Sequence, residues 1–290
     1  MNYNLIGDIY MKDTNENNIL KNADEYYEEG LKNFEAKDYQ NARDCFNKAI
    51  ELNPNTADYY NARGCALGKL NHHSKAIENF SKAIELEPNN SMYYINRAYS
   101  KDDQYEFLSM FHLYEDTSYL QSAIEDCDKA IELAPDNAAL YYNSRGDIKY
   151  KLKDYNGAIE DYSKAIELDS TLACYYHNRG KAKELIDDSQ GALEDYEKAM
   201  TLEPNNGSNY QARGWLKYMS KNYEGAIEDY NKAIELEPDN SWYYTNRGLA
   251  KERLYDDLKF ALEDYDKALE IDPYDELASH YKRLAIKLKK

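Results

Sequence analysis

The chain has 290 residues and a formal net charge of −18, with 36 Lys and Arg against 54 Asp and Glu. That acidity, with an isoelectric point near 4.8, excludes a binder of nucleic-acid phosphates, which relies on clustered Lys and Arg. Cys45, Cys65, Cys127 and Cys174 form no C-x-x-C pair, which excludes a disulfide framework or zinc knuckle and suits a reducing cytoplasm.

Residues 1–22 are rich in Asn and read either as a short docking helix, through NLIGDIYM, or as disorder. They lack the basic start and apolar run of a secretion signal, and no apolar stretch in the chain is long enough to span a membrane. From residue 23 one pattern recurs. Its clearest copy is AIEDYNKAIELEPDNSWYYTNRG, from Ala226 to Gly248. Pro54, Pro88, Pro135, Pro204, Pro238 and Pro273, with Ser170 in the one vacancy, are spaced by 34, 47, 35, 34, 34 and 35 residues. A period near 34 with a proline at its end is that of a helix pair that cannot bury its apolar face alone.

Seven units follow: 23–56, 57–90, 91–137, 138–172, 173–206, 207–240 and 241–275. Alanines recur at two fixed places of the second helix, as in Ala158 and Ala165. A small residue recurs in the first helix, at Gly30, Gly64, Ala98, Gly146, Gly180, Gly214 and Gly248. Glycine in mid-helix costs about 1 kcal/mol relative to alanine, so its repetition predicts a close approach of two helices. Phe46, Phe80, Tyr162, Tyr196, Tyr230 and Tyr265, with Cys127 as the exception, are the rings that fill the remaining space. The arginines Arg63, Arg97, Arg145, Arg179, Arg213 and Arg247 point to the buried side, and a repeated pairing with Asp126, Asp161, Asp195, Asp229 and Asp264 is expected, within a unit or between neighbours.

The third unit carries 13 extra residues between Arg97 and Ala123. Two helices, each longer by about two turns, would absorb them. Phe107, Phe111 and Tyr114 lie at helical spacing there, either packing the lengthened pair or forming an arm that touches a partner. After Pro273, residues 276–290 read as a basic closing helix, with Leu277, Tyr281, Leu284, Ala285 and Leu288 on one face.

The pattern Tyr-x-x-Arg-Gly, then Ala-x-x-x-Tyr, then Pro resembles the tetratricopeptide repeat (TPR) family over roughly residues 23–275, with Tyr in place of the family's Trp and Arg in place of its Leu. The resemblance implies an all-α, TPR-type right-handed alpha solenoid of seven helix-turn-helix repeats with a C-terminal capping helix, stacked in one array. It also implies a non-catalytic scaffold or adaptor that binds a peptide segment of a partner protein in a concave groove. A structural protein whose ends or third-unit insert drive self-assembly is the alternative.

On a helical wheel the free face of each first helix collects Asn96, Asn143, Asn178, Lys181, Gln211, Trp215, Tyr218, Met219, Trp242, Asn246, Leu249 and Arg253, the candidate groove residues. Both tryptophans of the chain fall on it, and aromatic side chains are common anchors for a partner. Asn96, Asn178 and Asn246 resemble part of the asparagine ladder of the TPR sugar transferase that acts on nuclear and cytosolic serines and threonines. The lysine and arginine clamp of TPR domains that hold chaperone C-terminal carboxylates is missing, since Asp24, Asp58, Asn61, Met92 and Ile95 stand among its places. No catalytic residues, metal ligands or cofactor are expected: there is no P-loop, G-x-G-x-x-G or G-x-S-x-G, and His72 and His73 read as a solvated turn.

Overall fold

The computed structural model describes residues 21–110, 116–255 and 259–288. Among them it contains α-helices, one short 3-10 turn and no strand. First helices are α1 (Ala23–Glu35), α3 (Ala57–Lys69), α5 (Ser91–Ser109), α7 (Ala139–Lys151), α9 (Ala173–Glu184), α11 (Gly207–Met219) and α13 (Ser241–Tyr255). Second helices are α2 (Tyr39–Leu52), α4 (His73–Leu86), α6 (Ser118–Leu133), α8 (Tyr155–Leu168), α10 (Ser189–Leu202), α12 (Tyr223–Leu236) and α14 (Lys259–Ile271), and α15 (Glu276–Leu288) follows. The chain divides into two compact units, Met1–Tyr114 and Glu115–Lys290. The division falls inside the 13-residue insert, where the 34-residue period breaks.

Local chemistry sets the helix ends. Asp38, Asp154, Asp188 and Asn222 cap second helices by accepting from the backbone N–H three residues on; this satisfies a donor that the first turn leaves open. The turn before each cap uses a residue with positive φ, at Lys37, Asn71, Lys153, Asp187 and Lys221. At the other end, Asn53, Glu87, Glu203 and Glu237 leave the helical region just before a proline, as the proline ring favours. The lengthening in the third pair is uneven: α5 runs to 19 residues and α6 to 16, against 13 for α3 and 14 for α4. Two equal extensions were expected, and most of the gain lies in α5.

Within a pair, glycine and ring meet as the pattern requires. A Cβ placed on Gly64, Gly146, Gly180, Gly214 or Gly248 would stand 2.7–2.9 Å from the Cε1 atom of Phe80, Tyr162, Tyr196, Tyr230 or Tyr265, nearer than real Cβ atoms come. The two alanines of each second helix, such as Ala158 and Ala165, are fully buried against this contact. Each second helix packs on the next first helix: α2 on α3 and α4 on α5 in the first unit, and α6 on α7 through α14 on α15 in the second.

Buried charge ties the pairs together. Arg145, Arg179, Arg213 and Arg247 each hold the aspartate of their own second helix through Nε and Nη2, at 2.6–3.2 Å. The same carboxylates, Asp161, Asp195, Asp229 and Asp264, also take Lys149, Lys183, Lys217 and Lys251 at 2.8–2.9 Å. The remaining arginine nitrogen reaches back to the preceding pair: Arg63 Nη1 to Asn47 at 2.9 Å, Arg97 to Ser81 at 3.1 Å, Arg179 to Ser163 at 3.0 Å and Arg247 to Asn231 at 2.7 Å. The Arg–Asp pairing expected from sequence is thus within a pair for Asp161, Asp195, Asp229 and Asp264, and these bonds between neighbours use asparagine and serine instead. The guanidinium groups of Arg63, Arg97, Arg145, Arg179 and Arg247 also lie 5.2–5.8 Å from a ring centroid, as Arg145 does over Tyr142 and Arg179 over Tyr176, which adds cation–π attraction.

The histidine pair departs from the solvated turn expected of it. His72 is the exposed residue before α4, whereas His73 begins the helix and is buried against α5, 3.7 Å from Asp103 and beside the Phe107 ring. The longer α5 covers what would otherwise be an open turn. The closing helix packs on α14 through buried Ala278 and through Tyr281, which stacks on Tyr265 at 6.0 Å. Leu284, expected on the packed face, is exposed.

Candidate functional site

In the second unit α7 touches α9 and α11 touches α13, so first helices of successive pairs lie side by side. Side chains on this face are cross-linked from helix to helix. Asp147 on α7 accepts from Tyr162 Oη at 2.8 Å, Asn143 Nδ2 at 3.1 Å and Asn178 Nδ2 at 3.1 Å, and Asn178 also donates to Asn143 Oδ1 at 3.2 Å. Every donor in this knot has its acceptor.

Between α9 and α11, His177 Nδ1 lies 2.8 Å from Asn209 Oδ1, the distance of a bond donated by the Nδ1–H tautomer. Burial holds the His177 imidazole below its ordinary pKa, against the opposite pull of Asn209. Tyr196 Oη donates to Glu184, whose carboxyl is pushed up by burial. The unfolded chain binds a proton on His177 near pH 6.5 that the folded chain resists, so this residue destabilises the fold as pH falls below about 6.5. Wild type is expected to lose more stability between pH 7 and pH 5 than His177→Gln. Thermal melts of both proteins across that range check it, and parallel curves would remove His177 from the account. Glu184 pulls the other way in both proteins and drops out of the comparison.

The α11–α13 face is built differently. Tyr162, Tyr196 and Tyr265 each donate to a carboxylate of their own first helix, namely Asp147, Glu184 and Glu252. At the corresponding places α11 carries Trp215 and Tyr218. Consequently the Tyr230 hydroxyl is buried with no hydrogen-bond partner, as are Nδ2 and Oδ1 of Asn246 and Nδ2 of Asn209. A buried polar group left in this state costs about 1–3 kcal/mol. All the orphaned side-chain atoms found among the described residues of the second unit lie on α11, α12 and α13. Trp215 stacks on Tyr218 at 5.5 Å, and Tyr218 packs on the cores of both adjoining pairs with the Arg253 guanidinium beside it. Met219 is 61% and Trp242 46% exposed.

The sequence-predicted residues therefore fall into three groups. Met219, Trp242, Lys181 and Arg253 are exposed, and Asn178, Gln211, Trp215 and Tyr218 are half-buried. Asn143, Asn246 and Leu249 are buried instead of lining an open face. A helical wheel treats a helix alone, whereas α7 and α9, or α11 and α13, approach closely enough to cover these positions. Asn96 belongs to the first unit, where it donates to Asn61 at 2.9 Å. Of the arm, Phe107 is exposed on one side and faces His73 on the other; Phe111 and Tyr114 lie outside the described residues, as does most of the N-terminal segment.

Among the described residues no group of three His, Cys, Asp or Glu is placed to hold a metal ion, and no helix is long and apolar enough to cross a membrane. The four cysteines are free thiols. Burial pushes the Cys65 thiol up to about 11 and raises Cys127 further, which suppresses the reactive thiolate.

Family models described as tetratricopeptide repeat match residues 23–56 and 57–90, and a second such model matches 112–137 and 175–206. A model described as TPR repeat matches 146–185 and 214–254. The chain belongs to the tetratricopeptide repeat family. Human small glutamine-rich tetratricopeptide repeat-containing protein beta is 44% identical over 55 residues, which is 19% of this chain and 18% of that protein. A Mycosarcoma maydis relative, small glutamine-rich tetratricopeptide repeat-containing protein 2, is 41% identical over 58 residues, 20% of this chain and 16% of the relative. The chain thus spans less than a fifth of the length of these relatives. Among solved structures, a tetratricopeptide repeat protein from Parabacteroides merdae matches 91% of this chain and 98% of its own at 17% identity and a TM-score of 0.67. YrrB, described as a TPR protein with an unusual peptide-binding site, matches 71% of this chain and 99% of its own at 24% identity and a TM-score of 0.51. At those identities the likeness establishes the all-α TPR fold. A fold of this kind is that of a protein-interaction scaffold.

Proposed function

We propose that the chain is a non-catalytic adaptor of the cytoplasm, and that its second unit takes up an extended peptide segment of a partner protein along the α11–α13 face. The observation that carries this reading is the coincidence, on one pair of helices, of exposed Trp242 and Met219 with buried polar atoms that lack partners. Large apolar side chains left in water and amide groups left without hydrogen bonds are both relieved by a peptide, which brings side chains to cover the first and backbone groups to pair the second. YrrB, which shares the fold, is described as having a peptide-binding site, which is consistent with the reading.

The experiment is capture of partner proteins by the purified chain, followed by their identification and by the same capture with Trp242→Ala. Central aromatic anchors are worth about 2 kcal/mol or more, so this substitution is expected to weaken capture of a specific partner at least about tenfold with unchanged helical circular dichroism. Capture that is indifferent to the substitution would rule out this face as the site.

A further inference from the structure

The α11–α13 face lacks a carboxylate that the same fold supplies two pairs earlier. In the α7–α9 pair, Tyr162 Oη and Asn178 Nδ2 both reach one oxygen, Asp147 Oδ1, at 2.8 and 3.1 Å. The later pair is in the same register. Gly146 and Gly214 dock Tyr162 and Tyr230 by the same contact, with a Cβ at 2.7 and 2.9 Å from the ring. Asn178 and Asn246 each open an Asn-Arg-Gly run, and the arginines that follow hold Asp195 and Asp264 alike. Trp215 therefore stands where Asp147 stands, directly after the glycine. Tyr230 Oη and Asn246 Nδ2 hold the register positions of the Tyr162 and Asn178 donors, and both are buried without a partner. The other acid position, filled by Glu184 and Glu252 in neighbouring pairs, is Tyr218.

We infer that this place receives a carboxylate side chain from the bound peptide, an Asp or Glu that displaces the Trp215 indole and accepts from Tyr230 Oη and Asn246 Nδ2. The inference rests on the peptide reading above and names the residue that the peptide must carry. Burial raises the pKa of the Tyr230 hydroxyl, so it stays a donor. Asn246 Oδ1, also orphaned, is left to accept a backbone N–H of the incoming segment. Trp215 is half-buried but belongs to none of the apolar clusters around it, which enlist Leu216 and Tyr218 instead; its indole can leave without opening a core. Arg253, two turns beyond Asn246 on α13, is exposed and forms no ion pair among the described residues; its guanidinium contacts Tyr218, beside the indole. Arg253 supplies a positive charge beside Tyr218, and the acids that act on Tyr230 are already engaged, Asp229 with Arg213 and Lys217 and Glu184 with Tyr196.

Two measurements on the full chain test this. In the first, Trp215→Asp supplies the carboxylate in cis. Tyr230→Phe is then expected to lower the melting temperature by several degrees more in the Trp215→Asp background than in wild type; equal shifts in both backgrounds would show that the donors do not converge there and would overturn the inference. In the second, capped seven-residue peptides Gly-Ala-Leu-X-Leu-Ala-Gly with X as Asp, Glu, Asn or Ala are titrated while the emission of the two tryptophans is followed. Asp and Glu peptides are expected to bind at least tenfold more tightly than Asn and Ala peptides, with the preference abolished in Trp215→Asp and in Tyr230→Phe. Equal binding of all four that still requires Trp242 overturns the carboxylate and leaves the peptide face standing. Failure of all four to bind overturns the carboxylate as the determinant.

Discussion

Asp195→Ala is expected to destabilise the second unit by about 3 kcal/mol, the lower end of what removing one member of a buried ion pair costs. The Asp195 side chain is 5% exposed and takes Arg179 through two nitrogens, at 2.9 and 2.7 Å, and Lys183 at 2.8 Å. Without it two cations stay behind, 19% and 17% exposed, with no counter-charge. Partial access to water is why the lower end of the range applies. The loss propagates, because Arg179 also reaches Ser163 of the preceding pair and stacks on Tyr176. An array of this kind is held by nearest-neighbour contacts, so damage at one junction opens that junction first. Hydrogen exchange is expected to accelerate in α9 and α10 before other helices, alongside a lowered urea midpoint. The double variant Arg179→Met, Asp195→Ala is expected to recover part of the loss, since it leaves one unpaired cation instead of two. A double variant no better than Asp195→Ala would mean that the guanidinium contributes nothing through its charge.

This network shows how far repetition makes a structure legible. The helix pairs, the glycine-to-ring contact and the Arg–Asp pair can be read from the chain because each position is sampled several times, so chance matches average out. The lysines Lys149, Lys183, Lys217 and Lys251 carry the same signal, four residues after each arginine and on the same helical face, yet a search for opposite-charge pairs stops at the first partner found. The backward bonds of the arginines use Asn47, Ser81, Ser163 and Asn231, polar residues too varied in type to stand out as a motif. Conversely, the burial of Asn246 and Leu249 depends on how near α13 lies to α11. That distance is a property of packing and is not contained in the periodicity of either helix.

The candidate site was legible only as an irregularity. Trp215 and Trp242 attract notice because they are the only tryptophans, but the telling feature is that α11, unlike α7, α9 and α13, carries an acid neither at the place of Asp147 nor at that of Glu184 and Glu252. An alignment built on what recurs passes over what is withheld. The consequence, a hydroxyl and an amide without acceptors, appears only when the donor of one pair and the acceptor of the next are seen to share a point in space. Recurrence specifies the scaffold, and departure from it marks the place where the scaffold is incomplete by itself.

Gly180→Val is expected to cost about 3 kcal/mol, although valine is the better helix former. A Cβ at Gly180 would lie 2.8 Å from Tyr196 Cε1 and 3.1 Å from Cδ1 and Cζ. The ring cannot give way cheaply: Tyr196 is fully buried and its hydroxyl is tied to Glu184. Overpacking of a rigid core costs about 1–3 kcal/mol, and the added β-branch places the upper end here. The control is Gly68→Ala. Gly68 also sits in a first helix, but its Cβ would meet nothing nearer than Ser100 Oγ at 4.0 Å, so the propensity gain of about 0.5–1 kcal/mol should appear as stabilisation. Urea midpoints of the two variants are therefore expected to move in opposite directions from wild type. If Gly180→Val were as stable as wild type, the close approach of first helix to ring would not be what selects glycine. The chain itself makes the matching exchange in its third unit, where alanine stands at the glycine place, Ala98, and the ring place holds the smaller Cys127.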